Sequence, residues 1–229
     1  MFEYLLKKSA RRKTVAIKVH NQKVTVYAPN YVAKKQIDSW LHEKKSWVDA
    51  QLLKQINATD TKQYPLENGK ILLFSEVVNL RFKQGLNSTV KPYLNGGLLI
   101  TVSSRVKHQQ QKHQKLLEAY LKEKLTAYIE MQLAYYCTQM KEILPDNLNI
   151  GVYKRKWGSC NSKRELTFNL YLVCAPHHII DYVIVHELAH LRYLNHSKVF
   201  WQRVETFYPE YKAASQWLKI HGSSLQWVF

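Results

Sequence analysis

His186-Glu187-Leu188-Ala189-His190 is the stretch on which the reading of this 229-residue chain turns. Two histidines four apart on a helix point the same way, because four residues slightly exceed one turn. Their imidazoles can grip one metal ion from one helix face. The glutamate after the first histidine then reaches water beside that ion. Working outward, Ile180-Asp181-Tyr182-Val183-Ile184-Val185 precedes the motif, and Leu188, Ala189 and Leu191 follow the first histidine. Apolar residues fill the faces away from the histidines, as a buried helix requires. Two histidines and a glutamate in such a helix are costly unless something satisfies them, and a divalent cation does so. The implied chemistry is metal-dependent hydrolysis, with one zinc per chain and the peptide bond as the first-choice substrate.

Catalytic zinc usually has three protein ligands and one open position. His196 follows His190 by six residues. The metzincin pattern shares that offset but needs glycine where Tyr193 stands, and no methionine follows Met140. That class is therefore excluded. Asn195 is expected to end the helix in a left-handed conformation, and Ser197 to cap a new helix through Phe200, Trp201 and Val204. His196 then sits in the corner between two helices. Glu205 is the alternative third ligand, because other zinc hydrolases supply a carboxylate from a following helix.

The rest of the chain reads as alternating small elements. Val15, Ile17, Val19, Val24 and Val26 alternate across Asn21-Gln22, which predicts a β-hairpin over 13–28. Pro29-Asn30 stops it, and one helix is expected over 32–56 through Ile37, Trp40, Leu41, Trp47, Val48 and Leu52. Strands return near 70–83 and 98–103, with turns at Asn68-Gly69 and Asn95-Gly96-Gly97. A long helix over 108–143 carries Leu117, Leu121, Leu125 and Tyr128 on one stripe, continued by Tyr136, Met140 and Ile143. Pro145 is expected to end it. Two strands follow, near 148–156 and 165–172. Pro176 opens the motif helix, and two more helices close the chain. The glutamine- and lysine-rich start of the long helix places a boundary near 105. Residues 1–105 then form a β-rich region with one helix, and 106–229 a catalytic domain.

Composition sets further bounds. At 46% hydrophobic and 12% aromatic residues, the chain has ample material for a packed core. Cys137, Cys160 and Cys174 lack paired spacing, which fits a reducing compartment and excludes a disulfide framework. Cys160 is either a reactive thiol or a small buried apolar group. The start, Met1 to Leu6, is too short for a signal peptide, and no apolar run reaches membrane-span length. A cytoplasmic protein with no membrane partner is expected, its oligomeric state left open. The net charge of +17 attracts polyanions, so nucleic acid or nucleotide joins peptide and protein among the expected partners. The charge is spread along the chain, and no known nucleic-acid motif is present.

Three blocks carry a resemblance. They are Arg155-Lys156-Trp157-Gly158-Ser159-Cys160 with Leu166-Thr167-Phe168-Asn169-Leu170, then Asp181 to Leu191, then Asn195-His196-Ser197 with Phe200-Trp201, Pro209-Glu210-Tyr211 and Trp217-Leu218-Lys219. A weaker echo is Val24-Thr25-Val26-Tyr27-Ala28-Pro29 ahead of a helix with Trp40 and Trp47. Together they resemble the YgjP-like metallopeptidase-domain family, related to the SprT-like zincins. The resemblance implies an α+β fold with a small β-rich N-terminal region and a C-terminal zincin-like domain built on the motif helix. It implies that His186, His190 and His196 bind zinc, that Glu187 is catalytic and that Lys154-Arg155-Lys156 lies near the site. One departure stands out: serine occupies the turn at Leu73-Phe74-Ser75-Glu76, where the family commonly has glycine.

In this reading Glu187 is the general base. Candidate oxyanion donors or substrate contacts are Arg155, Tyr153, Asn169 and Tyr211, with Trp157 beside them. His108, His113, His177 and His178 read as surface or capping residues. Two alternatives compete. One is hydrolysis of a phosphoanhydride at the same metal, with Lys154, Arg155, Lys156 and Arg164 holding phosphates. The other is a nucleic-acid-associated module with structural zinc, which leaves Glu187 without a purpose.

Overall fold

The computed structural model describes residues 3–20, 23–60 and 62–229. They form an α+β protein with three small sheets and seven α-helices among the described residues. The chain divides into two compact units, Met1–Thr61 and Lys62–Phe229. The division therefore falls forty-odd residues before the expected boundary near 105. The reason is packing: Ile71, Val78, Leu80, Leu98 and Ile100 share one core with Leu117 and Leu121. No helix among the described residues is long and apolar enough to cross a membrane.

In the first unit β1 (Tyr4–Ser9), β2 (Ala16–His20) and β3 (Lys23–Pro29) form a sheet ordered β1-β3-β2. β1 runs parallel to β3, and β2 antiparallel to it. The alternation of Val24, Val26 and Ala28 buries one face of β3, where Ile37 and Leu41 of α1 (Lys34–Glu43) join the same core. The expected hairpin is present, though its Asn21-Gln22 turn lies outside the described residues. The expected single helix is two, α1 and α2 (Lys45–Asp60), broken at Lys44. At Lys44 the backbone leaves helical geometry, with φ −92° and ψ 5°, and Val48 beyond the break is buried again. β1 has no alternation to announce it; pairing with β3 makes it a strand.

The second unit begins with α3 (Pro65–Asn68), closed by left-handed Gly69. β4 (Lys70–Leu73), β5 (Glu76–Gly85), β6 (Thr89–Tyr93) and β7 (Gly97–Ser103) form a sheet ordered β4-β5-β7-β6. β6 was not expected from the sequence. Phe74 and Ser75 join β4 to β5 with φ of 51° and 73°, the double left-handed turn that favours glycine. Such a backbone costs about 1–2 kcal/mol per non-glycine residue. Phe74 offsets this: its ring stacks on His177 at 4.5 Å, and its N–H donates to the Val173 carbonyl at 2.7 Å. We find no comparable compensation at Ser75.

α4 (Gln109–Met140) follows. Its buried stripe is Leu117, Leu121, Leu125, Ile129, Leu133, Cys137 and Met140. Ile129 thus takes the place expected for Tyr128, and Ile143 is exposed beyond the helix end. The helix ends at left-handed Lys141, with the Lys141 N–H donating to Thr138 and the Glu142 N–H to Cys137. Pro145 is not the terminator. β8 (Asn147–Gly151), β9 (Gly158–Cys160) and β10 (Glu165–Asn169) form the third sheet, ordered β8-β10-β9. β8 is parallel and β9 antiparallel to β10. α5 (His177–Ala189), α6 (Lys198–Phe207) and α7 (Tyr211–His221) complete the chain. α5 is buried nearly all round, at Ile179, Ile180, Tyr182 to Val185, and Glu187 to Ala189. Asn195 does not adopt the expected left-handed conformation; the turn after α5 closes instead on carbonyls of Glu187, Leu188 and Ala189. Ser197 does sit at the start of α6, but its side chain makes no capping hydrogen bond.

Candidate metal centre and active site

α5 presents His186 and His190 from adjacent turns, and the corner before α6 brings His196 beside them. The nitrogens of these three histidines lie within 4.8 Å of one another. His186 Nε2 and His196 Nε2 are 3.0 Å apart. Burial, helped by His190 and His196, pushes His186 down to about 3, so this ring is neutral and its lone pair free. Burial lowers His190 as well. The Tyr193 carbonyl lies 2.9 Å from His190 Nδ1, which holds the proton there and leaves Nε2 as the ligating atom. Exposed Glu205 is not part of this group, so the carboxylate alternative is not brought to the site. Three imidazoles closing on one point are a donor set zinc takes, and the residues fit it.

Glu187 lies on the same helix and is 4% exposed. The Cys160 backbone N–H of β9 donates to its carboxylate. Its Oε2 is buried and has no partner. Burial pushes this carboxyl up to about 8, while Lys156 and the Cys160 N–H pull it down. A cation at the histidines pulls it further down. Gly158 leaves room for this arrangement. A Cβ there would lie 2.6 Å from Glu187 Oε1 and 2.7 Å from its Cγ. Gly158→Ala is therefore expected to displace the carboxylate, lowering hydrolysis at least about tenfold while zinc content stays at the wild-type level. Elemental analysis beside turnover checks this; unchanged turnover would mean that β9 yields and that Glu187 needs no such fit.

A cleft of 330 Å³ opens beside His186 and Glu187, lined also by Arg155, Lys156, Trp157, Gly158 and Tyr182, with Ser215, Leu218 and Lys219 of α7. Of the expected contacts, Arg155 and Trp157 line it. Asn169 does not: it is 3% exposed and its Nδ2 donates to the carbonyls of Tyr153 and Lys156 at 2.7 and 2.8 Å. Its backbone N–H also donates to the Trp157 carbonyl. Both amide hydrogens are spent, so Asn169 positions the 153–157 segment and has no donor left for an oxyanion. Tyr211 stacks on Trp201, which stacks on His196, so it stands one ring behind the histidines. The Tyr153 ring lies under the ammonium of Lys156, a cleft residue, and against Gly151, and is not itself part of the cleft lining. Cys160 is half-buried and burial raises its thiol, which fits the small apolar role. His113 is not the surface residue expected: it meets Phe82 edge-on, and its Nε2 is buried without a partner.

Tyr182, Ser215 and Lys219 were missed from sequence. Tyr182 stands four residues before His186, on the same helix face, and that spacing was the available signal. Ser215 and Lys219 carry no such mark. Nor does Glu142, whose buried carboxylate accepts from Arg203 of α6 and from Arg192 in the segment leading to His196. It ties the end of α4 to the corner that carries the third histidine.

A model of the YgjP-like metallopeptidase domain matches residues 13–221. The chain belongs to the YgjP-like family. The three histidines of this YgjP-like chain thus stand in a metallopeptidase domain, which implies a divalent metal. No curated protein matches significantly. Two solved structures are similar over part of the chain. The metallopeptidase zymogen of Pyrococcus abyssi abylysin is 22% identical with a TM-score of 0.38, covering 44% of this chain and 99% of its own. That of Methanocaldococcus jannaschii jannalysin is 24% identical with a TM-score of 0.35, covering 40% and 92%.

Proposed function

We propose that the chain is a zinc-dependent peptidase with His186, His190 and His196 as ligands and Glu187 as general base. The observation that carries this reading is the Glu187 carboxylate, with one buried oxygen free, lining the same cleft as His186 of the three-histidine group. Zinc held there would polarise water and the scissile carbonyl. Glu187 accepts the proton from water at Oε2 and returns it to the leaving nitrogen. The Cys160 N–H keeps the carboxylate aimed during both transfers. β9 is an edge strand next to α5, a place where an extended peptide can add as a strand. Arg155 and Trp157 contact the bound substrate from the cleft wall.

Zinc is expected at one ion per chain. His196→Ala is expected to lower zinc affinity by at least about a hundredfold, the upper figure for loss of a mere outer partner. Elemental analysis after competition with a chelator measures this. Undiminished zinc would remove His196 from the ligand set.

A second reading, phosphoanhydride hydrolysis, is favoured by one observation: Arg155, Lys156 and Lys219 all line the cleft. Purified wild type and Glu187→Gln, both loaded with zinc, should be screened on unfolded proteins, peptides and nucleoside triphosphates. Peptide cleavage lost in the variant supports the peptidase. Phosphate release lost in the variant, with no peptide cleavage in wild type, replaces it by the second reading.

A further inference from the structure

The first unit holds a feature that hydrolysis does not use. Between Glu3 and Asp38 the chain carries no carboxylate side chain. Its cations there lie on β1, β2 and β3, in the Arg11-Arg12-Lys13 segment between β1 and β2, and at the start of α1. One face of this sheet is covered, with Tyr4, Leu6, Ile17, Val24 and Val26 packed in the core. The opposite face follows from the two-residue period. In register across it, Lys7 lies opposite Tyr27, and Leu5 opposite Thr25, which faces Lys18. Lys7 and Lys18 are exposed, and Leu5 is 57% exposed, so this face is open.

The charge is densest at the end of the sheet where β1 leads into Arg11-Arg12-Lys13. The Arg12 guanidinium lies over the Tyr27 ring, 4.6 Å from its centre. Tyr31 is 78% exposed, and its hydroxyl donates to the Lys13 carbonyl at 3.3 Å. Two tyrosine rings thus stand among Lys7, Arg11, Arg12 and Lys13. The nearest following carboxylate, Asp38, accepts from the Tyr4 hydroxyl, and Tyr4 belongs to the covered face.

Tyr31 gives this patch of one-signed charge a flat exposed face on which a base can stack. Cations that follow a phosphate backbone, beside rings on which bases stack, are what a single-stranded nucleic acid takes. We propose that this end of the first-unit sheet, built from Lys7, Arg11, Arg12, Lys13, Tyr27 and Tyr31, binds single-stranded nucleic acid.

The test uses the full chain and a labelled oligothymidylate, with binding followed by fluorescence anisotropy over a salt series. Three variants are compared with wild type: Arg11→Gln/Arg12→Gln/Lys13→Gln; the charge-matched Lys107→Gln/Lys115→Gln/Lys122→Gln on the second unit; and Tyr31→Ala. Circular dichroism checks that each is folded. Wild-type binding should weaken steeply with salt. The first variant should flatten the log–log slope by about two units, at about 0.7 per phosphate contact on a single strand. The charge-matched variant should keep most of the slope. Tyr31→Ala should weaken binding about fivefold or more with the slope unchanged. Equal losses in the two triple variants would reduce the effect to net charge and overturn the site. A duplex bound as tightly as the single strand, together with no effect of Tyr31→Ala, would overturn the single-strand assignment. So would failure of wild type to bind at low salt.

Discussion

Glu187→Gln is expected to keep its zinc and its fold and to lose about a hundredfold to ten-thousandfold in hydrolysis, the usual worth of general acid–base work. The amide has nearly the shape of the carboxylate, so the Cys160 N–H still finds an oxygen to donate to. What goes is the basic Oε2. Burial of that atom without a partner makes the substitution a mild one for stability, because the neutral amide is cheaper to bury than the charged group. Turnover and zinc content measured on one preparation separate the two effects. A variant that turns over at the wild-type rate would mean that another group takes the proton. A variant that loses zinc would mean that Glu187 supports the histidines electrostatically.

Glu142→Ala is expected to destabilise the second unit by about 3–5 kcal/mol, the cost of breaking a buried ion pair. Glu142 is 8% exposed at its side chain and Arg203 14%. Without Glu142, the Arg203 guanidinium keeps one bond, from Nη2 to the Met140 carbonyl at 2.8 Å, and its charge has no counter-charge in contact. Arg192 is half exposed and recovers water, so most of the loss comes from Arg203. Denaturant unfolding gives the magnitude. Because Arg192 lies in the segment that carries His196, zinc retention under chelator should fall as well. A loss under about 1 kcal/mol would show that water reaches the pair and screens it.

Much of the site was legible because its chemistry is local. His186, Glu187 and His190 are within one turn and a half of one helix, so their common face follows from helical geometry alone. His196 was legible because a corner between two helices is a short-range feature, even though the backbone at Asn195 takes a different route from the one expected. The substrate side was less legible. Asn169 looked like a donor, but a side-chain amide reveals its role only through the carbonyls it meets, and Tyr153 and Lys156 meet it from 16 and 13 residues away. The β-rich segment 70–103 read as part of an N-terminal region because its strands are continuous in sequence with those before it. Its apolar faces belong to the core of α4.

By itself, then, the sequence determined what depends on period and spacing. It set the α+β class, the hairpin of the first unit, the long helix, the motif helix with its two histidines and Glu187, and the absence of carboxylates between Glu3 and Asp38. Tertiary structure alone decided what depends on distant partners. It recruited β1 and β6 into sheets, since a strand without alternation exists only by pairing. It broke the first helix at Lys44, where the backbone leaves helical geometry. It placed the unit boundary after residue 61, made Asn169 a brace and Glu142 a tie, and set Gly158 against Glu187, where there is no space for a side chain.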